Sequence, residues 1–449
     1  MKSKQGRRDF IKKVAAGTAG VTFASHANAM SAKSYKRIMG ANDRLNVAIM
    51  GLGRRLGAFL DPIAMKESNV RLAYLCDVMT SQRIKAAERF SEVIDYEPEL
   101  ENDIRVILDD PEVDAIINAT PDHWHAPGTW MAVQAGKNVY VEKPATHNPY
   151  EGEILIQCME KYGKIIQMGN QQRSSAHTIE LMNDIHNGAI GEAYKAVAYY
   201  NNCRGRVINP FVADPPEGLD WDLYQGPAPR RQYRHNTWDY NWHWYGWDYG
   251  TAETGNNATH ELDIARWALQ VIHPLKVKVE AAKRHFTDDG WTMYDTMDAT
   301  FIYENGSVIK WDGKSRNSFN TYEGGRGTII YGSEGTAHVD RGSYQLYDRC
   351  GKLVKENTSE GAEAGTALGG GGDMSTAHVV NFFNAIRGTE KQRSPIDEGV
   401  VSTHLCHLAN ISSRLQMDLE VDPLTGKIYN REAMKLWRRD YEPGWEPNI

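Results

Sequence analysis

Leu45-Asn46-Val47-Ala48-Ile49-Met50-Gly51-Leu52-Gly53-Arg54-Arg55-Leu56-Gly57 decides how this chain folds. The first six residues read as a buried strand, the glycines as a tight turn, and the pattern that runs on to about Lys66 as a helix. Gly51 permits the turn, and Gly53 lets backbone amides approach a pyrophosphate that the helix N-terminus attracts. Leu56 stands where a third glycine is usual; Gly57 comes one place late. A second strand, Val70 to Cys76, ends in Asp77. A carboxylate there accepts from a ribose 2′-hydroxyl and repels a 2′-phosphate, which favours NAD over NADP. A helix N-cap is the structural alternative for Asp77.

Outward from that unit, a helix with Arg83, Ala86, Ala87 and Phe90 precedes the strand Asp114 to Thr120. A helix around Trp130 to Ala135 then leads to Val139-Tyr140-Val141-Glu142-Lys143-Pro144. This βαβ alternation implies a parallel sheet with right-handed crossovers. Pro144 stops its strand, so Glu142 and Lys143 stand at the carboxyl end, where open α/β sheets bind ligands. A solvent-facing ion pair is the plainer alternative for them. His123 and His125, two residues apart with no third ligand near, make a thin case for a metal, and none is expected.

At 449 residues, 41% hydrophobic and 24% charged, the chain has the composition of a globular protein of two or three domains. Its net charge is −7, and the first 29 residues carry six Lys/Arg against one Asp. Subtracting their +5 leaves −12 on the remainder, which argues against nucleic acid or an anionic membrane as partner. The five cysteines lack metal-knuckle spacing, and no disulfide framework is expected.

Residues 1–29 read as an export signal: Lys2, Lys4, Arg7 and Arg8, a short apolar run from Val14 to Ala24, then Ala27-Asn28-Ala29 as a cleavage site. The run is too short for a permanent membrane span. Gly6-Arg7-Arg8-Asp9-Phe10-Ile11-Lys12 resembles the twin-arginine motif, whose route carries folded proteins, so a periplasmic location is expected. A tether at 30–43, a cofactor domain at 44–167 and a substrate and oligomerisation domain at 168–449 complete the expected division.

Gly51-x-Gly53, Asp77, Thr120-Pro121-Asp122-His123-Trp124-His125 and Glu142-Lys143-Pro144, in this order and spacing, resemble the Gfo/Idh/MocA oxidoreductases. The resemblance covers nearly everything from residue 44 onward. It implies an α/β fold: an N-terminal Rossmann doubly wound parallel sheet, and a C-terminal α/β domain with a large, mostly antiparallel open sheet. It implies NAD(P)-dependent sugar or polyol dehydrogenase chemistry. It assigns the cofactor to Gly51, Gly53, Arg54, Arg55, Asp77, Thr120, Pro121, His123, Trp124, His125, Glu142, Lys143 and Asn170. A homo-oligomer, dimer or tetramer, through the second domain's sheet is also implied.

In the second half, Gly169-Asn170-Gln171-Gln172-Arg173 lies at the domain junction, where the resemblance puts Arg173 in the cleft and a polar turn is the alternative for the glutamines. Residues 203–250 are irregular and crowded with aromatic rings, which stack on the apolar faces of pyranoses; packing over the domain is the alternative. Gly255-Asn256-Asn257-Ala258-Thr259-His260 opens a helix whose Leu262, Ala265 and Leu269 face inward. The family's frequent pattern there is Asp-x-x-x-His, with the histidine in proton transfer. This chain has Asn256 at the aspartate position, and an amide does not stabilise an imidazolium as a carboxylate does, which gives Lys143 the larger share. The expected catalytic pair is therefore Lys143 and His260, with substrate held by Arg173, Tyr200, Tyr245, Asn256, Asn257, Thr259 and His260.

The expected reaction is NAD-dependent oxidation of a sugar or glycoside hydroxyl. One alternative is an NAD-dependent glycoside hydrolase that oxidises transiently and eliminates; Tyr245 falls where an arginine is expected in those enzymes. Another is a non-catalytic carbohydrate binder. Gly361 to Gly372 reads as a glycine-rich loop, at most a mobile lid.

Overall fold

The computed structural model describes residues 43–322, 324–358 and 372–449. The export signal, most of the tether and most of the glycine-rich loop lie outside the described residues. The first domain is a six-stranded parallel sheet in the order β3-β2-β1-β4-β5-β6. Its strands are β1 (Leu45–Met50), β2 (Val70–Cys76), β3 (Glu99–Glu101), β4 (Ala115–Asn118), β5 (Asn138–Val141) and β6 (Ile166–Met168). β4 and β5 are near-continuous apolar runs because helices cover both faces of the sheet. The order reverses between β1 and β4, and the carboxyl ends of those two strands open the crevice that holds ligands in such sheets.

The second domain is a ten-stranded sheet, ordered β15-β14-β13-β12-β7-β10-β9-β8-β16 with β11 paired to β7. It comprises β7 (Ala193–Cys203), β8 (Lys276–Ala282), β9 (Thr296–Ile302), β10 (Val308–Lys314), β11 (Arg316–Asn317), β12 (Arg326–Gly332), β13 (Gly335–Val339), β14 (Ser343–Asp348), β15 (Leu353–Thr358) and β16 (Leu419–Glu420). Among the described residues β7 with β10 is the one parallel pair of this sheet; the other ladders are antiparallel. Inward residues of the sheet, among them Ala196, Ala198, Phe301 and Ile309, pack with Leu262, Ala265 and Leu269 of helix Thr259–Leu269 and with Leu405 and Leu408 of helix Ile396–Leu415.

Two segments from the second half return to the first domain. Helix Gly372–Ile386 inserts Val379, Phe382 and Phe383 into the core around Phe59 and Tyr140, with Phe382 edge-on to Tyr140 at 5.9 Å. The C-terminal tail lays Trp445 edge-on to Trp124 at 5.1 Å, and Arg439 meets buried Glu151 at 2.8 Å. Among the described residues no helix is long and apolar enough to cross a membrane.

Candidate active site

The glycine turn is open. Gly51 has φ +90°, and a Cβ there would stand 2.6 Å from the Ala119 carbonyl carbon, so only glycine brings β1's end so close to β4's. Nothing lies within 4 Å of where a Gly53 side chain would begin. Leu56 points into the core beside Phe59 and leaves the turn clear. Asp77 accepts from the Leu52 amide at 2.7 Å and from the Met79 amide at 2.8 Å, so it fixes the turn while it faces the crevice. Burial raises its carboxyl pKa, against those two amides and Arg83.

The Glu-Lys-Pro turn divides its work. Glu142 accepts from Arg55 at 2.8 Å and from Gln171 at 2.9 Å, with the Tyr140 hydroxyl at 3.4 Å. Burial disfavours its charge, but Arg55, with Lys143 and His125, outweighs burial and holds the pKa below the usual value. Glu142 thus anchors the strand end, while Lys143 reaches across to the second domain. Its amine donates to the Asn256 carbonyl and lies 3.4 Å from the Asn256 side-chain oxygen.

That carbonyl is available because the expected helix start is a π-turn, Thr254–Ala258, ahead of the α-helix. Widened turns of this kind recur at functional sites because they redirect backbone groups. Gly255 lets the turn approach, since a Cβ there would press on Thr251 and sit 3.1 Å from the Pro144 ring. Burial pushes the Lys143 pKa down to about 8, helped by Arg341 and Arg326 and opposed by Asp122 and Glu142.

His260 lines the same crevice, and no described residue hydrogen-bonds its ring. Burial, then the charges of Arg341 and Lys143, hold its pKa well below the ordinary value, so it is a neutral imidazole at neutral pH. Lys143 and His260, brought from separate domains, therefore share one crevice of about 580 Å³ with Gly51, Gly53, Asp77, Asn256 and Asn257. Arg54, Arg55, Thr120, Pro121, Trp124, His125 and Glu142 complete that side of its wall.

His123, Asn170, Arg173, Tyr200, Tyr245 and Thr259 do not line the crevice, and Trp124 and His125 are engaged with the backbone around it. His123 is fully buried, bonded through Nε2 to the Tyr224 carbonyl at 2.8 Å, and Trp124 donates to the same oxygen at 2.9 Å. The two rings clamp the aromatic connection to the first domain. His125 spans the Pro144 and Thr120 carbonyls at 2.6 and 2.7 Å, which engages both ring nitrogens and leaves neither for a metal. Arg173 forms a buried two-point ion pair with Asp263 at 2.7 and 2.9 Å. The Tyr200 hydroxyl accepts from Asn202 at 2.6 Å, and Tyr245 donates to the Ile208 carbonyl at 2.8 Å. Thr259 donates to the Gly255 carbonyl at 3.0 Å, and Asn170 is buried with both side-chain polar atoms unpartnered.

The aromatic connection splits in two. Trp238, Tyr240, Trp242 and Tyr224 line the crevice. Trp244 instead stacks on Trp291 at 3.9 Å in the core, and Trp221, Tyr233 and Tyr249 pack around Tyr224. Asp122, His243 and Arg341 are among the crevice residues that the sequence does not single out as site residues. Asp122 opens a helix and accepts from Thr251 Oγ1 at 2.5 Å; it faces Lys143 electrostatically. His243 stacks on Trp242 at 3.5 Å, and Arg341 comes from a distant hairpin. Asp122 was legible, standing inside the quoted motif; Arg341 had no local signal.

Comparison with known proteins agrees with this geometry. Residues 45–170 match the oxidoreductase family's NAD-binding Rossmann fold, and residues 204–340 match its C-terminal alpha/beta domain. The chain belongs to the Gfo/Idh/MocA oxidoreductase family. It is 25% identical over 166 residues to levoglucosan dehydrogenase of Pseudarthrobacter phenanthrenivorans, covering 37% of this chain and 35% of that protein. It is also 25% identical over 209 residues to a glycosyl hydrolase family 109 protein of a Shewanella species, covering 43% and 45%. The chain thus spans less than half the length of these curated relatives. Among solved structures, an oxidoreductase from Agrobacterium radiobacter in complex with NAD+, L-tartaric acid and magnesium superposes with a TM-score of 0.64. Identity there is 14%, over 84% of this chain and 98% of that one. The open glycine turn and the carboxylate at the end of β2 fit NAD, the cofactor of this family's first domain.

Proposed function

We propose that the protein is an NAD-dependent oxidoreductase that removes hydrogen from a hydroxyl of a sugar or glycoside. The observation that carries this reading is Lys143, an amine of lowered basicity in the same crevice as the glycine turn. NAD, when bound, supplies the hydride acceptor. Lys143 takes the hydroxyl proton: a neutral amine that donates one N–H to the Asn256 carbonyl keeps its lone pair for that proton. His260, neutral and unpartnered, is placed to hold a second hydroxyl, and the crevice aromatics to stack on the sugar's apolar face. The family membership and the levoglucosan dehydrogenase relative support the same substrate class.

The base must be neutral to act. The log of kcat/KM for oxidation is therefore expected to rise with unit slope below about pH 8 and to level above it. A steady-state pH profile measures this, and a flat profile between pH 6 and 9 counts against Lys143 as base. Asp77→Ala removes a charged hydrogen-bond acceptor. About a ten- to hundredfold weaker NAD affinity is expected, with a narrower gap between NAD and NADP, measured by calorimetric titration.

A second reading, redox-assisted glycoside cleavage, is favoured by the Shewanella relative. It predicts free aglycone without net NADH, whereas the dehydrogenase reading predicts NADH that accumulates with the oxidised sugar. One glycoside panel read for both products separates them. We further infer twin-arginine export to the periplasm with NAD already held, and a homo-oligomer through the large sheet. Periplasmic material purified free of nucleotide would argue against the first, and a monomer by light scattering against the second.

A further inference from the structure

The crevice carries a cation that the dehydrogenase reading does not use. Arg341 sits at the turn between β13 and β14 and lines the wall together with Lys143, His260 and Asn257. The turn is held firmly. Asp340 Oδ1 accepts the Gly342 and Ser343 amides at 2.8 and 2.7 Å, and its carbonyl accepts from Gln172 at 2.9 Å. Arg341 itself makes no hydrogen bond or ion pair with any described residue.

Its neighbours are already matched. Arg326 is paired with Glu261 at 2.7 Å and Arg55 with Glu142 at 2.8 Å. Burial and the charge of Arg326 weigh against the Arg341 cation, with Glu261 opposing. A firmly held turn that brings a half-buried guanidinium, without a hydrogen-bond or ion-pair partner among the described residues, into the same wall as Lys143 suits a ligand of opposite charge.

We propose that the substrate is an acidic sugar, a uronic acid or its glycoside, whose carboxylate is held by the Arg341 guanidinium. The inference rests on the dehydrogenase reading for the chemistry, but not for the binding. A planar guanidinium meets a carboxylate through two parallel N–H···O bonds. With Lys143 neutral as the base, Arg341 adds one positive charge, which matches a monoanionic carboxylate better than a dianionic phosphate. Asp77 faces the crevice from the end of β2, in the first domain, whereas Arg341 enters from the second. Arg341 therefore serves the substrate rather than the ribose.

The test uses the full chain with NAD and matched pairs of methyl glycosides and methyl uronides in the gluco, galacto and manno series, with the 6-phosphates as a third arm. NADH formation and ligand-induced thermal stabilisation are both read. For at least one series the uronide should exceed its neutral partner by about ten- to a hundredfold in kcat/KM and in affinity. Arg341→Ala should bring that ratio close to one, Arg341→Lys should leave an intermediate ratio, and NAD affinity should hold in both. A preference for neutral sugars, a preference for the phosphates, or a uronide preference that survives Arg341→Ala overturns the proposal. So does a loss of NAD affinity in Arg341→Ala equal to the loss of uronide binding. Uronide stabilisation that depends on Arg341 without any NADH would keep this inference and sink the dehydrogenase reading. NADH from neutral sugars alone would do the reverse.

Discussion

Lys143→Met should lower kcat for sugar oxidation by about a hundred- to ten-thousandfold while the protein still folds and binds NAD. The amine is the group of lowered basicity that the structure ties to the second domain, through the Asn256 carbonyl. Methionine keeps the length of the side chain and its contacts along the wall but accepts no proton. Because the interaction is made as the hydroxyl ionises, kcat and kcat/KM should fall together, with little change in KM. Calorimetric titration of NAD on the variant separates this from a collapsed crevice. A variant that turns over within about tenfold of the parent would move the base elsewhere, and His260 and His243 would be the next groups to replace.

Arg173→Ala should cost about 3–5 kcal/mol of stability, because it strands the Asp263 carboxylate in the interior. The pair is buried on both sides, and among the described residues Asp263 would keep the Ser402 hydroxyl at 2.6 Å as its direct partner. In the parent, burial disfavours the Asp263 charge, but Arg173, with Arg266 and the Ser402 hydroxyl, outweighs it and lowers the pKa. Without Arg173, only Arg266 and the Ser402 hydroxyl still oppose burial, so the Asp263 pKa should rise, and it is expected to pass its unfolded value. A group raised on folding contributes its stability below the unfolded pKa and loses it as pH rises. The deficit of the variant should therefore shrink as pH falls toward the ordinary carboxylate range. Urea unfolding at pH 5 and pH 8 measures both the loss and its pH trend. Activity should follow the folded fraction; an undisturbed stability with a raised KM would instead return Arg173 to the substrate site.

β1, the glycine turn, Asp77 and the Glu-Lys-Pro strand end were legible because each is a local pattern: apolar runs, a φ that only glycine tolerates, a proline stop. Arg173 was read toward the cleft, yet its partner Asp263 stands 90 positions away, and nothing in the local pattern announces that pair. Arg341 depends on the register of β13 against β14 and on Gln172 holding the turn, both long-range facts. The π-turn at Thr254–Ala258 was read as an ordinary helix opening, since a single i→i+5 widening changes no propensity. In the aromatic connection, composition does not say which rings face the crevice, as Trp238, Tyr240 and Trp242 do, and which, like Trp244 on Trp291, fill the core.

The most direct test of the shared crevice is a single-turnover experiment in which NAD-loaded protein is mixed with the glycoside and uronide panel and the absorbance of reduced nicotinamide is followed. The parent should give a transient with at least one sugar, and Lys143→Met, equally loaded with NAD, should give none on that timescale. No transient from the loaded parent with any sugar, or an equal one from Lys143→Met, would contradict the account.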